Sequence, residues 1–184
     1  MANEMLFMKL SLKGKPVPGD SVVKGYEGQI QLKSLKWGLG VKDRGVAASA
    51  EKTTKNWDPK ELRLSKYLDG ATTALFNHMD ERKELHSSTP SLMSKAVLAN
   101  TAVISLVGVS ALKTGEKMPV LMVVTANRVR IKSISSNASE GGSFLSLNED
   151  LVLAYKDLKI DYFPAGKGSA RGAMMSFKFE GEDD

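Results

Sequence analysis

A chain of 184 residues with 42% apolar and 26% charged residues has the composition of one globular domain that can bury a real core. No stretch approaches the ~20 apolar residues of a membrane-spanning helix, and the absence of cysteine excludes disulfides and thiolate chemistry. The net charge of +5 is uneven: residues 1–66 carry 13 Lys and Arg against 7 acids, and residues 67–184 carry 13 against 14, four of them in the closing EGEDD.

The opening MANEMLFMKL has neither a basic segment nor a long apolar segment of the kind a cleaved signal peptide needs, so none is expected. Leu6, Met8, Leu10 and Leu12 alternate with Phe7, Lys9 and Ser11, which predicts a strand with one face on the core. In GQIQLKSLKWG the apolar positions slip by one, from Ile30 and Leu32 to Leu35 and Trp37, the mark of a β-bulge or sharp twist. Residues 38–59 show no period, and at 22 residues they far exceed the usual loop of about 4–6. With Val46 and Trp57 aboard they do not read as simple disorder. We expect this loop to dock on another copy of the chain, with Lys42, Arg44, Val46, Trp57 and Asp58 as candidate interface residues.

ELRLSKY (61–67) reads as a further strand, and Ala71, Ala74, Leu75, His78, Met79 and Leu85 then form a stripe near the 3.6 period, predicting a helix over about 71–85. Asp69 or Thr72 can cap its start, although no capping-box spacing precedes it. NTAVISLVGVSAL (100–112), VLMVVTANRVRIKSI (120–134), LVLAYKDLKIDYF (151–163) and AMMSFKF (173–179) all have strand character. Leu151, Leu153 and Tyr155 share one parity while Leu158, Ile160 and Tyr162 share the other, so that long run is expected to bend or switch sheet midway. The ten residues SISSNASEGG (133–142) read as a hairpin tip, with Gly141 and Gly142 supplying the turn. The resulting class is mainly β: an antiparallel barrel of two packed sheets with one flanking helix, in a single domain covering 1–184.

Chemistry finds little purchase. His78 and His86 are eight apart, outside the spacing that helical metal pairs use, and no HExxH occurs. GKGSARG (166–172) lacks the P-loop spacing, because Asp161 stands where the first glycine belongs, and it leads into a strand rather than a helix N-terminus. Glu149 and Asp150 are adjacent on a strand and point to opposite faces. No GxSxG or nucleophilic triad stands out. No catalytic residue, metal or cofactor site is therefore assigned. Arg128, Arg130 and Lys132 alternate along one run and form a candidate strip, either lining a polar channel or on the surface. Nucleic acid is disfavoured as their partner, since stacking aromatics are missing nearby.

Several blocks resemble one family. FMKLSLKG and SVVKGYEGQIQLKSLKWG resemble the first two strands and intervening turn of Hcp, the haemolysin-coregulated protein of bacterial type VI secretion systems; LRLSKYLDGATTALFNHM resembles its strand, Lys, Asp and helix. TANRVRIKSISSNASEGG followed by LNEDLVLAYKDLKIDYFP matches most specifically, through Asn127, Gly141, Gly142, Glu149, Leu151, Leu153, Tyr155, Ile160 and Tyr162. Residues 38–59 and 86–97 depart from the pattern. The resemblance implies a structural subunit that assembles into hexameric, stacking rings forming the inner tube of the apparatus. It implies a VgrG-type spike, a contractile sheath and secreted effectors as partners, and passage from the bacterial cytoplasm through the apparatus itself. The chain ends soon after its last predicted strand, so no fused effector domain is expected. A phage-like tail tube protein and a nucleic-acid-binding β-barrel module are the alternative readings.

Overall fold

The computed structural model describes residues 3–41, 57–85, 100–109, 118–141, 144–164 and 172–181. It contains twelve strands and one helix among these residues: β1 (Asn3–Leu12), β2 (Lys15–Val17), β3 (Ile30–Lys36), β4 (Leu39–Val41), β5 (Trp57–Pro59), β6 (Leu62–Tyr67), α1 (Ala71–Leu85), β7 (Thr101–Val109), β8 (Val120–Asn127), β9 (Arg130–Gly141), β10 (Phe144–Ala154), β11 (Asp157–Tyr162) and β12 (Met175–Glu180). Ten strands form one ladder in the order β12-β11-β8-β7-β1-β3-β6-β10-β9, with β2 beside β1, and β4 pairs with β5 separately. Every pairing is antiparallel, as the chain's short, alternating runs imply.

One hydrophobic cluster takes residues from both ends of this ladder, including Ile131 of β9 and Leu153 of β10 together with Leu158 of β11 and Phe179 of β12. The ladder must therefore fold over on itself, and the two layers expected from the sequence are its two halves. Among the described residues no hydrogen bonding joins β12 to β9 to close a barrel. Two of the chain's crossings between halves are tight corners, 127–130 and 154–157. The parity change in 151–163 is the second of these: β10 ends at Ala154 and β11 starts at Asp157 on the other half. The first corner was not expected, since 120–134 read as one strand. Here Arg128 adopts a φ of 54°, in the left-handed region, and breaks the run into β8 and β9.

The expected bulge lies in β3. Leu32 pairs with Lys66 and Ser34 with Ser65, leaving Lys33 as the extra residue, so Ile30, Leu32 and Leu35 all reach the core side. A second bulge lies in β9, where Ile131 and Ser133 face Leu153 and Val152 and Lys132 is left over. The β1–β2 hairpin turns through Lys13 and Gly14, at φ 52° and 75°, the two positive values of a two-residue type I′ turn. Behind β1, Phe7 is fully buried against Tyr26, their rings stacked with centroids 4.5 Å apart. The loop carrying Tyr26 closes tightly: a Cβ on Gly19 would stand 2.4 Å from the Gln29 carbonyl oxygen, so only glycine fits.

Helix α1 covers the core with Ala71, Leu75 and the buried His78, while Ala74 and Met79 pack at the margin. Asp69 caps it. Its carboxylate accepts from the Ala71 N–H at 3.0 Å while the Thr72 hydroxyl accepts from the Asp69 N–H at 3.3 Å, a reciprocal arrangement equivalent to a capping box with Thr in the Glu position.

Candidate functional site

Among the described residues, Lys66 is a densely connected polar group in the interior. Along β6, Leu62, Leu64 and Lys66 share the inward parity, and along β10 so do Glu149, Leu151 and Leu153. The register sets Glu149 directly opposite Lys66, so a lysine and a glutamate enter the interior side by side. Both are fully buried. The Lys66 ammonium donates to Glu149 Oε2 at 2.5 Å, to the Tyr67 carbonyl at 2.7 Å, and to Asp69 Oδ1 at 2.7 Å. Glu149 also accepts from the Thr72 hydroxyl at 2.7 Å and from Ser136 Oγ at 2.9 Å. Burial by itself would raise the Glu149 pKa, but the hydrogen bonds from Lys66, Thr72 and Ser136 and the Lys66 charge outweigh it and hold the carboxyl below its ordinary value. Each polar atom of the pair thus has partners, the condition under which buried charges are tolerated. The cluster ties β6, the start of α1, β10 and β9 together; its donors and acceptors face one another rather than an opening. Its role is to hold the fold.

A second tie fixes the first corner. The buried Asn100 accepts from the Lys13 N–H at 2.6 Å and donates to the Val129 carbonyl at 2.9 Å. Next to it Arg128 grips Asp157 with two parallel bonds, 2.9 Å from Nε and 2.6 Å from Nη2. The hydroxyl of Tyr155 is buried with no hydrogen-bond partner among the described residues, and burial raises its pKa.

The candidate strip does not form one face of one strand. Arg128 stands at the corner and engages Asp157, Arg130 opens β9 with its side chain exposed, and Lys132 sits in the bulge and pairs with Glu61. The Lys132 hydrogen bond holds Glu61 below its ordinary pKa. Two of the three charges are thereby met by carboxylates of the same chain. Of the candidate loop residues, Lys42, Arg44 and Val46 lie outside the described residues; Trp57 and Asp58 fall on β5, whose pairing with β4 joins the two ends of the 38–59 excursion, and Asp58 pairs with Lys60. The hairpin tip is shorter than expected. Strand β9 runs through most of SISSNASEGG to Gly141, which faces Phe144, leaving residues 142 and 143 as the connection; Gly142 and His86 lie outside the described residues. The same holds for most of GKGSARG, which joins the antiparallel pair β11 and β12. Among the described residues no group of three His, Asp or Glu side chains stands close enough to hold a metal.

Residues 7–89 match the model of the family described as type VI secretion system effector, Hcp. No curated protein matches the chain in sequence. Among solved structures, Hcp1 of Salmonella typhimurium is similar at TM-score 0.62 and 18% identity, over 98% of this chain and 95% of that one. A type six secretion system protein gives 0.66 and 16% over 97% and 96%, and Hcp3 of Pseudomonas aeruginosa 0.57 and 14% over 98% and 100%. At such identities the structural likeness is one of fold. The described residues, mainly β with one helix, have the fold of these Hcp structures. Residues 7–89 thus resemble the Hcp family in sequence, and nearly the whole chain shares the fold of solved Hcp structures.

Proposed function

We propose that the chain is a subunit of the inner tube of a type VI secretion apparatus: copies close into hexameric rings, the rings stack, and the tube is exported, with the lumen open to effectors. The observation that carries this reading is the combination of the family match with an antiparallel ladder whose two end strands, β12 and β9, have a neighbour on one side only among the described residues. A subunit with two different open edges is suited to a head-to-tail contact that closes on itself. The excursion 38–59, with Trp57 and Asp58 on β5, is the second element offered to a neighbour. A VgrG-type spike and a contractile sheath are the partners this role requires, and export through the apparatus needs no signal peptide.

The test is native mass with negative-stain imaging of the same sample. Annular particles at about six times the 19.9 kDa chain mass are the expected result, and a monomer at high protein concentration would refute the reading. Deleting residues 42–56 should leave a folded β protein and abolish the ring. The nucleic-acid alternative loses support from the pairing of Arg128 and Lys132 with carboxylates. Single-stranded DNA should accordingly fail to bind even at low salt, where phosphate contacts are strongest.

A further inference from the structure

The inner face of the ladder leaves the core uncovered in two places. In β11 and β12 the pairs run in register without a bulge: Leu158 faces Phe179 within the core, and Tyr162 faces Met175 four and four residues further along. Tyr162 and Met175 therefore point to the same side as the core residues, yet they are 47% and 66% exposed. Near the other end of the ladder, Leu147 of β10 shares the parity of Glu149, Leu151 and Leu153 but is 38% exposed. Leu68 lies against it, its N–H donating to the Leu147 carbonyl at 3.4 Å, and is 47% exposed. Both strips continue the apolar face past the point where the described residues cover it. Strand β12 is also a poorly guarded edge: it has no proline, and its two charged residues, Lys178 and Glu180, pair with each other.

We infer that the Tyr162–Met175 strip of one copy packs on the Leu68–Leu147 strip of the next, and that this is the contact that links subunits around the ring. The inference rests on the tube reading above and names the surfaces that would serve it. The occupant is a second copy because one chain carries both halves of the contact. Each strip needs an apolar partner, and each copy offers one at the opposite end of its ladder. Two unlike strips also make the contact heterologous, which is the kind that generates rings rather than simple dimers. Burying both removes four half-exposed apolar side chains per contact from water, on edges that would otherwise invite unspecific pairing.

The chain has no cysteine, so single thiols can be placed at will. Met175→Cys and Leu147→Cys chains, carrying distinguishable tags, are co-expressed and treated with a short bis-maleimide, with native mass recorded alongside. Covalent dimers joining one tag to the other are expected, with none when either variant is treated alone. An intact oligomer that gives no mixed dimer would overturn the inference and leave the tube reading standing. So would dimers formed by Met175→Cys chains alone, which would mean like strips meet. A monomeric parent chain would refute the tube reading and the inference with it. Both substitutions fall on exposed side chains, and an unchanged circular-dichroism melt confirms that the variants fold.

Discussion

The inner face of the ladder differs between two regions. Between β6 and β10, inward of the exposed Leu68 and Leu147, it is closed by charge: Lys66, Glu149 and Asp69 meet with Thr72 and Ser136, and nearly every donor finds an acceptor within the chain. Where it passes along β11 and β12 it is left apolar and open at Tyr162 and Met175. The first arrangement is costly to alter and needs nothing from outside. The second adds little to the stability of one chain and gains only when something covers it. The comparison separates residues that hold the subunit together from residues available for assembly, and substitution can test each assignment.

The largest effect should come from the charged cluster. Lys66→Ala leaves Glu149 buried without its cation and should lower unfolding free energy by about 3–5 kcal/mol, read by urea denaturation. Glu149→Gln probes the same cluster through pH. A carboxyl held below its ordinary pKa in the folded state stabilises above the unfolded value of about 4.3, and that contribution fades as pH falls toward the folded value. The parent chain should therefore be more stable than Glu149→Gln at pH 7, and the gap should shrink below about pH 4; a gap constant from pH 7 to pH 3 would mean that Glu149 is not held ionised by its partners.

Next comes the corner between the halves. Arg128→Ala removes both bonds to Asp157 and should cost about 1.5–3 kcal/mol in thermal or urea unfolding, the range for hydrogen bonds to charged groups. A loss below about 0.5 kcal/mol would class the pair with ordinary surface ion pairs. The smallest effect on stability belongs to the open end. Met175→Ser should change unfolding free energy by no more than about 0.5 kcal/mol, as exposed sites generally do, while weakening assembly measured by native mass. A large loss of stability with assembly intact would reverse the comparison.

Much of the fold was legible because a strand with one buried face writes a period of two. The alternation in β1, the slip at Lys33 and the parity change after Tyr155 each had a direct structural counterpart. The helical stripe did too, through Ala71, Leu75 and His78. The buried cluster had a signal as well: Lys66 falls on the parity of Leu62 and Leu64, and Glu149 on that of Leu151 and Leu153, opposite charges at inward positions of two strands. It went unused because a charged residue at an apolar parity reads as a strand end until a partner is known. The Arg128, Arg130 and Lys132 strip failed for the converse reason. Alternation in sequence implies one face only if the strand is continuous, and the left-handed Arg128 breaks it.

By itself, then, the sequence determined much of the local alphabet: most of the strand runs, the helix over about 71–85, and Asp69 or Thr72 as the residue to cap it. These depend on neighbours within a few residues, whose propensities and periods are readable in order. Only the tertiary structure decided that Lys66 meets Glu149 across 83 positions, that Arg128 pairs with Asp157 at a corner, and that Tyr162 and Met175 emerge uncovered. Those outcomes depend on register and on where the ladder folds over, and both are set by the burial of the whole core at once rather than by any stretch of it.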